Sequence, residues 1–227
     1  MFRPGFILPL LAFALASCSA LPERSDDRRQ TASPPPARSV PVPRTGAAAQ
    51  CLTELGGTGA SFTPLPDRYL GQGCTNLNTV QLASVPSDQS RLTIGNIGPV
   101  TCEVGEVFAA WARYGVDRAA RQILGSPLAR IETFGSYSCR DVAGSGRRSA
   151  HATAAAIDVS DFVLADGRRI SVEEDWNGGD AQERAFLRTV HQSACKRFDT
   201  VLGPDYNSAH ENHLHVEGVI GTKSYCR

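Results

Sequence analysis

The sequence predicts an α+β domain, a small antiparallel sheet with packed helices, stapled by disulfides. Three observations carry that expectation. Apolar and polar residues alternate over 154–164 and 213–219, the period of a strand with one buried face. Apolar residues recur at helical spacing over 104–111 and 181–198. Six cysteines remain once Cys18 is set aside, an even number.

Residues 49–100 are rich in Gly, Pro and Thr with short apolar runs, which predicts irregular structure and short strands held by Cys51 and Cys74. Thr101 then caps a helix whose Val104, Val107, Phe108 and Trp111 share one face. Asp117 is placed to N-cap a second short helix that Gly125 closes. Residues 131–138 read as a strand, followed by a Gly, Ser and Arg loop over 140–149. The next strand, 154–164, puts Ile157, Val159 and Val163 on one side. Asp166-Gly167 is a hairpin signal, with 169–172 as the returning strand. The helix over 181–198 turns Ala185, Phe186, Val190, Ala194 and Phe198 inward, and 213–219 closes the domain as a last strand.

The N-terminus carries export signals. Arg3 precedes a short apolar run over 6–16, which reads as a signal peptide spanning 1–17. Leu15-Ala16-Ser17-Cys18 looks like a bacterial lipobox, which makes Cys18 the lipidation site; a plain signal peptide is the alternative. Several acyl chains anchor a protein stably where one is marginal. Ser19 and Ala20, with no aspartate beside the cysteine, direct the expectation toward the outer membrane, on the periplasmic side of the cell envelope. Residues 18–48 are polar and Pro-rich and read as a disordered tether. At roughly 3.1 Å per residue it would reach up to roughly 90 Å when extended. The folded domain is expected over 49–227.

Export places the cysteines in an oxidising compartment. Cys51, Cys74, Cys102, Cys139, Cys195 and Cys226 are therefore expected as three disulfides, in a pairing the sequence leaves open. A cysteine metal cluster is disfavoured because no C-x-x-C pair exists. Lys plus Arg and Asp plus Glu both number 23, so no excess of positive charge argues for a nucleic-acid partner.

Four of the five histidines fall in two segments: His151, then His210, His213 and His215. On a strand, His213, His215 and Glu217 share a face, so two imidazoles aim at one region. Asp158 lies on the strand after His151, with Ile157 and Val159 on the opposite side. Asp161, three residues on, is expected to face away. A carboxylate and imidazoles meeting within about a 4 Å span make a site for zinc. Surface histidines with a structural aspartate are the alternative. Glu217 is read as a solvated strand charge, with a hydrogen bond to a ligand imidazole as the other option. His191 is read as a surface residue.

The run from Ser149 through His151 to Asp158 resembles the S-x-H-x-x-G-x-A-x-D motif of the D-Ala-D-Ala carboxypeptidase and lysostaphin type of zinc peptidases. Gly135-Ser136-Tyr137-Ser138-Cys139-Arg140 resembles the S-G-Y-R-S strand end of that group, and His213-Leu214-His215 its H-x-H. More closely, residues 51–227 resemble the bacterial extensin-like C-terminal domain family. The matching stretches include Leu92-Thr93, Cys102, Ala156-Ile157-Asp158-Val159, Leu202 to Asn207 and the closing H-x-H. The resemblance implies a hedgehog-like metallopeptidase architecture and one zinc ion held by His151, Asp158 and His215. It also implies His213 as general base or stabiliser of the tetrahedral intermediate. Arg140, with Arg148, would meet a substrate carboxylate or the developing oxyanion. Apart from the resemblance, His210 is read as a substrate contact or a partner of a ligand imidazole, with a loop histidine of neither role as the alternative. Two positions depart from the pattern. Asn212 stands where the carboxypeptidase branch has a glutamate, and Ala154 stands where the motif has glycine.

Two functions follow as expectations. One is a lipid-anchored zinc hydrolase of peptidoglycan stem or cross-link peptides, either a carboxypeptidase or an endopeptidase. The other is a non-catalytic metal-binding or wall-binding lipoprotein.

Overall fold

The computed structural model describes residue 44 and residues 46–227, so the signal peptide, Cys18 and all but the last residues of the tether lie outside the described residues. In chain order, helix α1 (Ala47–Gly57) leads to β1 (Ser61–Pro64), β2 (Arg68–Gly71), β3 (Cys74–Asn76), β4 (Thr79–Pro86), β5 (Arg91–Gly95) and β6 (Pro99–Thr101). Helix α2 (Cys102–Trp111) precedes β7 (Leu128–Gly135), β8 (Ala156–Leu164) and β9 (Arg169–Ser171). The one-turn α3 (Val172–Asp175), helix α4 (Ala181–Ala194), β10 (Thr200–Leu202), β11 (Leu214–Glu217) and β12 (Tyr225–Cys226) complete the domain.

The α+β class holds, and the sheet is larger than expected. Ten strands join in one sheet of order β1-β4-β5-β7-β8-β11-β10-β12, with β6 beside β4 and β9 beside β8. Every pair is antiparallel except β5 with β7 and β10 with β12. The first third supplies the short strands expected there, and beyond them α1, whose Cys51 and Leu55 lie one turn apart and are both buried, and the eight-residue β4. The helix begins at Ala47, inside the stretch expected as tether. Three alanines favour it there, and the Cys51–Cys102 disulfide ties it to α2. Cys74 pairs with Cys139 and Cys195 with Cys226.

Helix α2 has the expected apolar face, but Thr101 makes no side-chain cap. The Cys102 amide instead donates to the Asn78 carbonyl at 2.9 Å. The helix does not stop before Asp117. It runs on through π-type turns over Ala112–Asp117 and Ala120–Leu124, and ends at Gly125 in the left-handed conformation, φ 72°. Asp117 is therefore no N-cap. Its carboxylate is fully buried, accepting from the Leu128 amide and from Arg121 Nε, both at 2.9 Å.

Trp111 anchors the core. Its ring packs against Phe108, Phe162 and Phe198, and its Nε1–H donates to the Val190 carbonyl of α4 at 3.1 Å. Gly115 permits this approach: a Cβ there would stand 2.4 Å from Ser193 Oγ and 2.8 Å from Trp111 Cδ1. Helix α4 starts with a capping box between Asp180 and Glu183. Phe186, Leu187, Val190 and Ala194 are buried; Ala185, expected inward, is exposed.

A bulge in β8 decides which side chains face the helices. Asp161 pairs with Glu132 and Val159 with Thr133, so Ser160 is the extra residue. The alternation shifts there by one. Ile157, Val159, Phe162 and Leu164 all enter the core. Asp161 turns to the same face as Asp158, where Arg169 holds it at 2.8 Å, and Val163 leaves the core side. The expectation that Asp161 faces away from Asp158 fails because period-two counting does not survive a bulge. The hairpin from β8 to β9 turns at Asp166-Gly167 as expected. The last-strand expectation over 213–219 shrinks to β11, with Val219 exposed.

Replacing Asp117 by alanine strands the Leu128 amide and frees Arg121. We expect a loss of about 2–4 kcal/mol, read as a lower urea midpoint at unchanged slope.

Candidate metal centre

The two histidine segments meet where β8 pairs with β11. His215 stands directly opposite Asp158 in that register. Side chains of such a pair project from one face with Cβ atoms about 4.5–5.5 Å apart. His215 Nδ1 lies 2.9 Å from Asp158 Oδ1.

His151 arrives from a tight turn, Ala150–Thr153, where its amide donates to Ser149 Oγ. The turn closes at Ala154, φ 56° and ψ 28°. A left-handed backbone costs a non-glycine residue about 1–2 kcal/mol. The motif's glycine position is thus a left-handed position, and this chain bears the strain with alanine beside the site.

His151 Nε2 lies 3.2 Å from both Asp158 Oδ1 and His215 Nδ1. The three atoms form a triangle with edges of 2.9–3.2 Å. A tetrahedral ion with ligand bonds of 2.0–2.1 Å separates its ligand atoms by about 3.3 Å. The triangle therefore fits three corners of such an ion and leaves the fourth open.

The outer hydrogen bonds point the same way. His151 Nδ1–H donates to the Ser136 carbonyl at 2.8 Å, and His215 Nε2–H donates to Glu217 Oε2 at 3.1 Å. Each imidazole so fixed turns a lone pair inward, toward the Asp158 carboxylate. Three lone-pair atoms this close repel unless a cation sits among them. A proton is one candidate. Burial opposes charging His215, but its bonds to Asp158 and Glu217 raise its pKa to about 9. Burial would raise Asp158, yet its bonds with His151 and His215 outweigh it and hold the carboxyl well below the usual range. A metal ion satisfies all three atoms at once. Glu217 is therefore not a free surface charge; it is tied to a donor residue.

His213 precedes β11 and stands outside the triangle. Its Nε2 lies 3.4 Å from Asp158 Oδ1, and its Nδ1–H donates to Asn212 Oδ1 at 2.8 Å. Asn212, at the position where the carboxypeptidase motif has glutamate, orients this ring. Burial is the main influence lowering the His213 pKa, with His215, His151 and Arg140 adding to it against Asp158.

Beside these groups opens a cleft of about 950 Å³. One wall is the 140–149 loop, braced by an Asp141–Arg148 bridge and anchored through Cys139. Arg140 lines the cleft. Arg148 lines the cleft too, but its guanidinium is bonded to Asp141 at 2.7 Å and to the Gln72 carbonyl at 2.6 Å. Its neighbour Arg147, which sequence reasoning did not single out, lines the cleft with no ion-pair partner among the described residues. The opposite wall holds His210, Tyr206 and Tyr225. His210 donates to Asn207 Oδ1 at 2.7 Å; burial first, then His213 and His215, lower its pKa to about 4, so it is neutral at pH 7. His191 is half-buried rather than a plain surface residue, with Nε2–H on the Arg227 carbonyl. It adjoins Cys195 and Cys226, but those sulfurs are bonded to each other and offer no thiolate.

Fold and site together define a disulfide-stapled α+β domain whose sheet presents a His–Asp–His donor triangle at the head of an arginine-lined cleft. Residues 49–227 match the family model described as Extensin-like protein C-terminus, and the chain belongs to that family. No curated protein and no solved structure matches the chain.

If the triangle holds a metal, the purified chain takes up one zinc ion, and His215→Ala loses it. Glu217→Ala should weaken binding about 10–100-fold by chelator competition, because the His215 ring loses the acceptor that fixes it.

Proposed function

We propose that this protein is a zinc-dependent hydrolase of peptidoglycan stem or cross-link peptides, held by its N-terminal lipid on the periplasmic side of the cell envelope. The observation that supports it most is the convergence of His151, Asp158 and His215, with His213 poised beside them. The relation to the carboxypeptidase and lysostaphin-type peptidases is part of this proposal and rests on the motif likeness.

His151 Nε2, Asp158 Oδ1 and His215 Nδ1 would hold the ion. A bound zinc ion supplies Lewis acidity and a nucleophile usable at neutral pH. His213 Nε2 has its lone pair turned toward the reacting region, since Asn212 takes the proton of Nδ1. It accepts a proton from the attacking water and returns it to the leaving amine. Arg140 and Arg147 neutralise a substrate carboxylate along the cleft, where a guanidinium fork suits two oxygens. Asp158, Ser136 and Glu217 keep the imidazoles oriented, so little reorganisation is needed on binding.

Digestion of muropeptides from purified sacculi tests the reading. His213→Ala should keep its zinc and lose about 10²–10⁴-fold in rate, the range of a general base. Arg140→Ala should raise KM more than it lowers kcat, as loss of a ground-state contact does. A zinc-loaded wild type that digests nothing would instead leave a metal-binding wall protein.

A further inference from the structure

The reach of the site on either side of His213 tells which bond it is built to cut. Along β11 one face runs from His213 through His215 to Glu217. The large cleft follows that face and continues past Glu217 to Thr200 and Tyr225. Four residues of strand span about 13 Å, the length of about four residues of an extended peptide. At about 950 Å³ the cleft stands near the top of the range for small-molecule sites, about 300–1,000 Å³.

A cavity lies on the other flank as well. A second cavity of about 290 Å³ begins at Asn212, the partner of His213, and is roofed by Phe134. Phe134 leans edge-on against the His213 ring at 5.9 Å and is 55% exposed. The floor is Ser160 and Asp161, which the β8 bulge turns to this face, and Arg169 already neutralises Asp161. This cavity exists because β8 changes partner here, from β11 at residues 156–159 to β9 at 161–163.

We infer that the substrate is a peptide lying across the site, cut at an internal amide, with Phe134 contacting the residues on the Asn212 side. The inference rests on the hydrolase reading above. An enzyme that trims chain ends is served by a closed end near the reacting bond; here a cavity lies on each side of His213. Water adds across the amide, giving a carboxylate on one fragment and an amine on the other.

The test uses the zinc-loaded full chain and two muropeptides, cross-linked dimers and uncross-linked pentapeptide monomers, separated by chromatography and weighed by mass spectrometry. The expected result is conversion of dimers to monomers at least about tenfold faster than removal of the terminal residue from the pentapeptide, a gap of one decade in transition-state binding. Phe134→Ala should raise KM for dimers about tenfold, the weight of one aromatic contact, and by more than it lowers kcat. Pentapeptides shortened by one residue while dimers stay intact would overturn the inference and leave the hydrolase reading standing. Dimers cut by Phe134→Ala with wild-type KM would remove Phe134 from the substrate path. Digestion of neither substrate by zinc-loaded protein would defeat the hydrolase reading and this inference with it.

Discussion

The site depends on one register: Asp158 opposite His215 in the antiparallel pairing of β8 with β11. Strand side chains alternate, so a slip of one residue would send His215 into the core and Val216 to the site. The hydrophobic pattern forbids that slip. Ile157, Val159, Leu214 and Val216 are all buried on the helix side of the same two strands. Burial of each such side chain is worth about 1.5–3 kcal/mol, so the core fixes the register and the donors follow.

What surrounds the donors serves to aim them. The Ser136 carbonyl, Glu217 and Asn212 each accept an outward N–H, and each acceptance settles where a lone pair points. Ser136 lies between the end of β7 and Cys139, which its bond to Cys74 ties down. The strained Ala154 belongs to the same pattern, since its left-handed turn carries His151 to the sheet. The site is thus held by a core on one face and by hydrogen bonds, a disulfide and a bent turn on the other.

Much of the helical core was readable because its signals are local. The spacing from Val104 to Trp111 and the Asp166-Gly167 turn needed nothing beyond their own segments. Asp117 misled because aspartate before a helical run has the same signature whether it caps a helix or sits buried inside a longer one. Helix α1 was missed because it buries only Cys51 and Leu55, with Leu52 partly packed beside them, too short a stripe to stand out beside glycines. Asp161 misled because a bulge leaves no mark in the order of residues. Arg148 and Arg147 look alike in sequence; which one is free depends on Asp141 and the Gln72 carbonyl, which fold against one of them.

By itself the sequence determined the chemistry available: six cysteines able to pair, histidines and an aspartate in two short segments, and an α+β pattern to carry them. Composition and period are local properties, and they fix these things. Only the tertiary structure decided the three disulfide pairs, the triangle of donor atoms, the tie between Glu217 and His215, and the cavities on each side of His213. Each depends on which strand lies beside which, and that is set by burying the whole apolar surface at once.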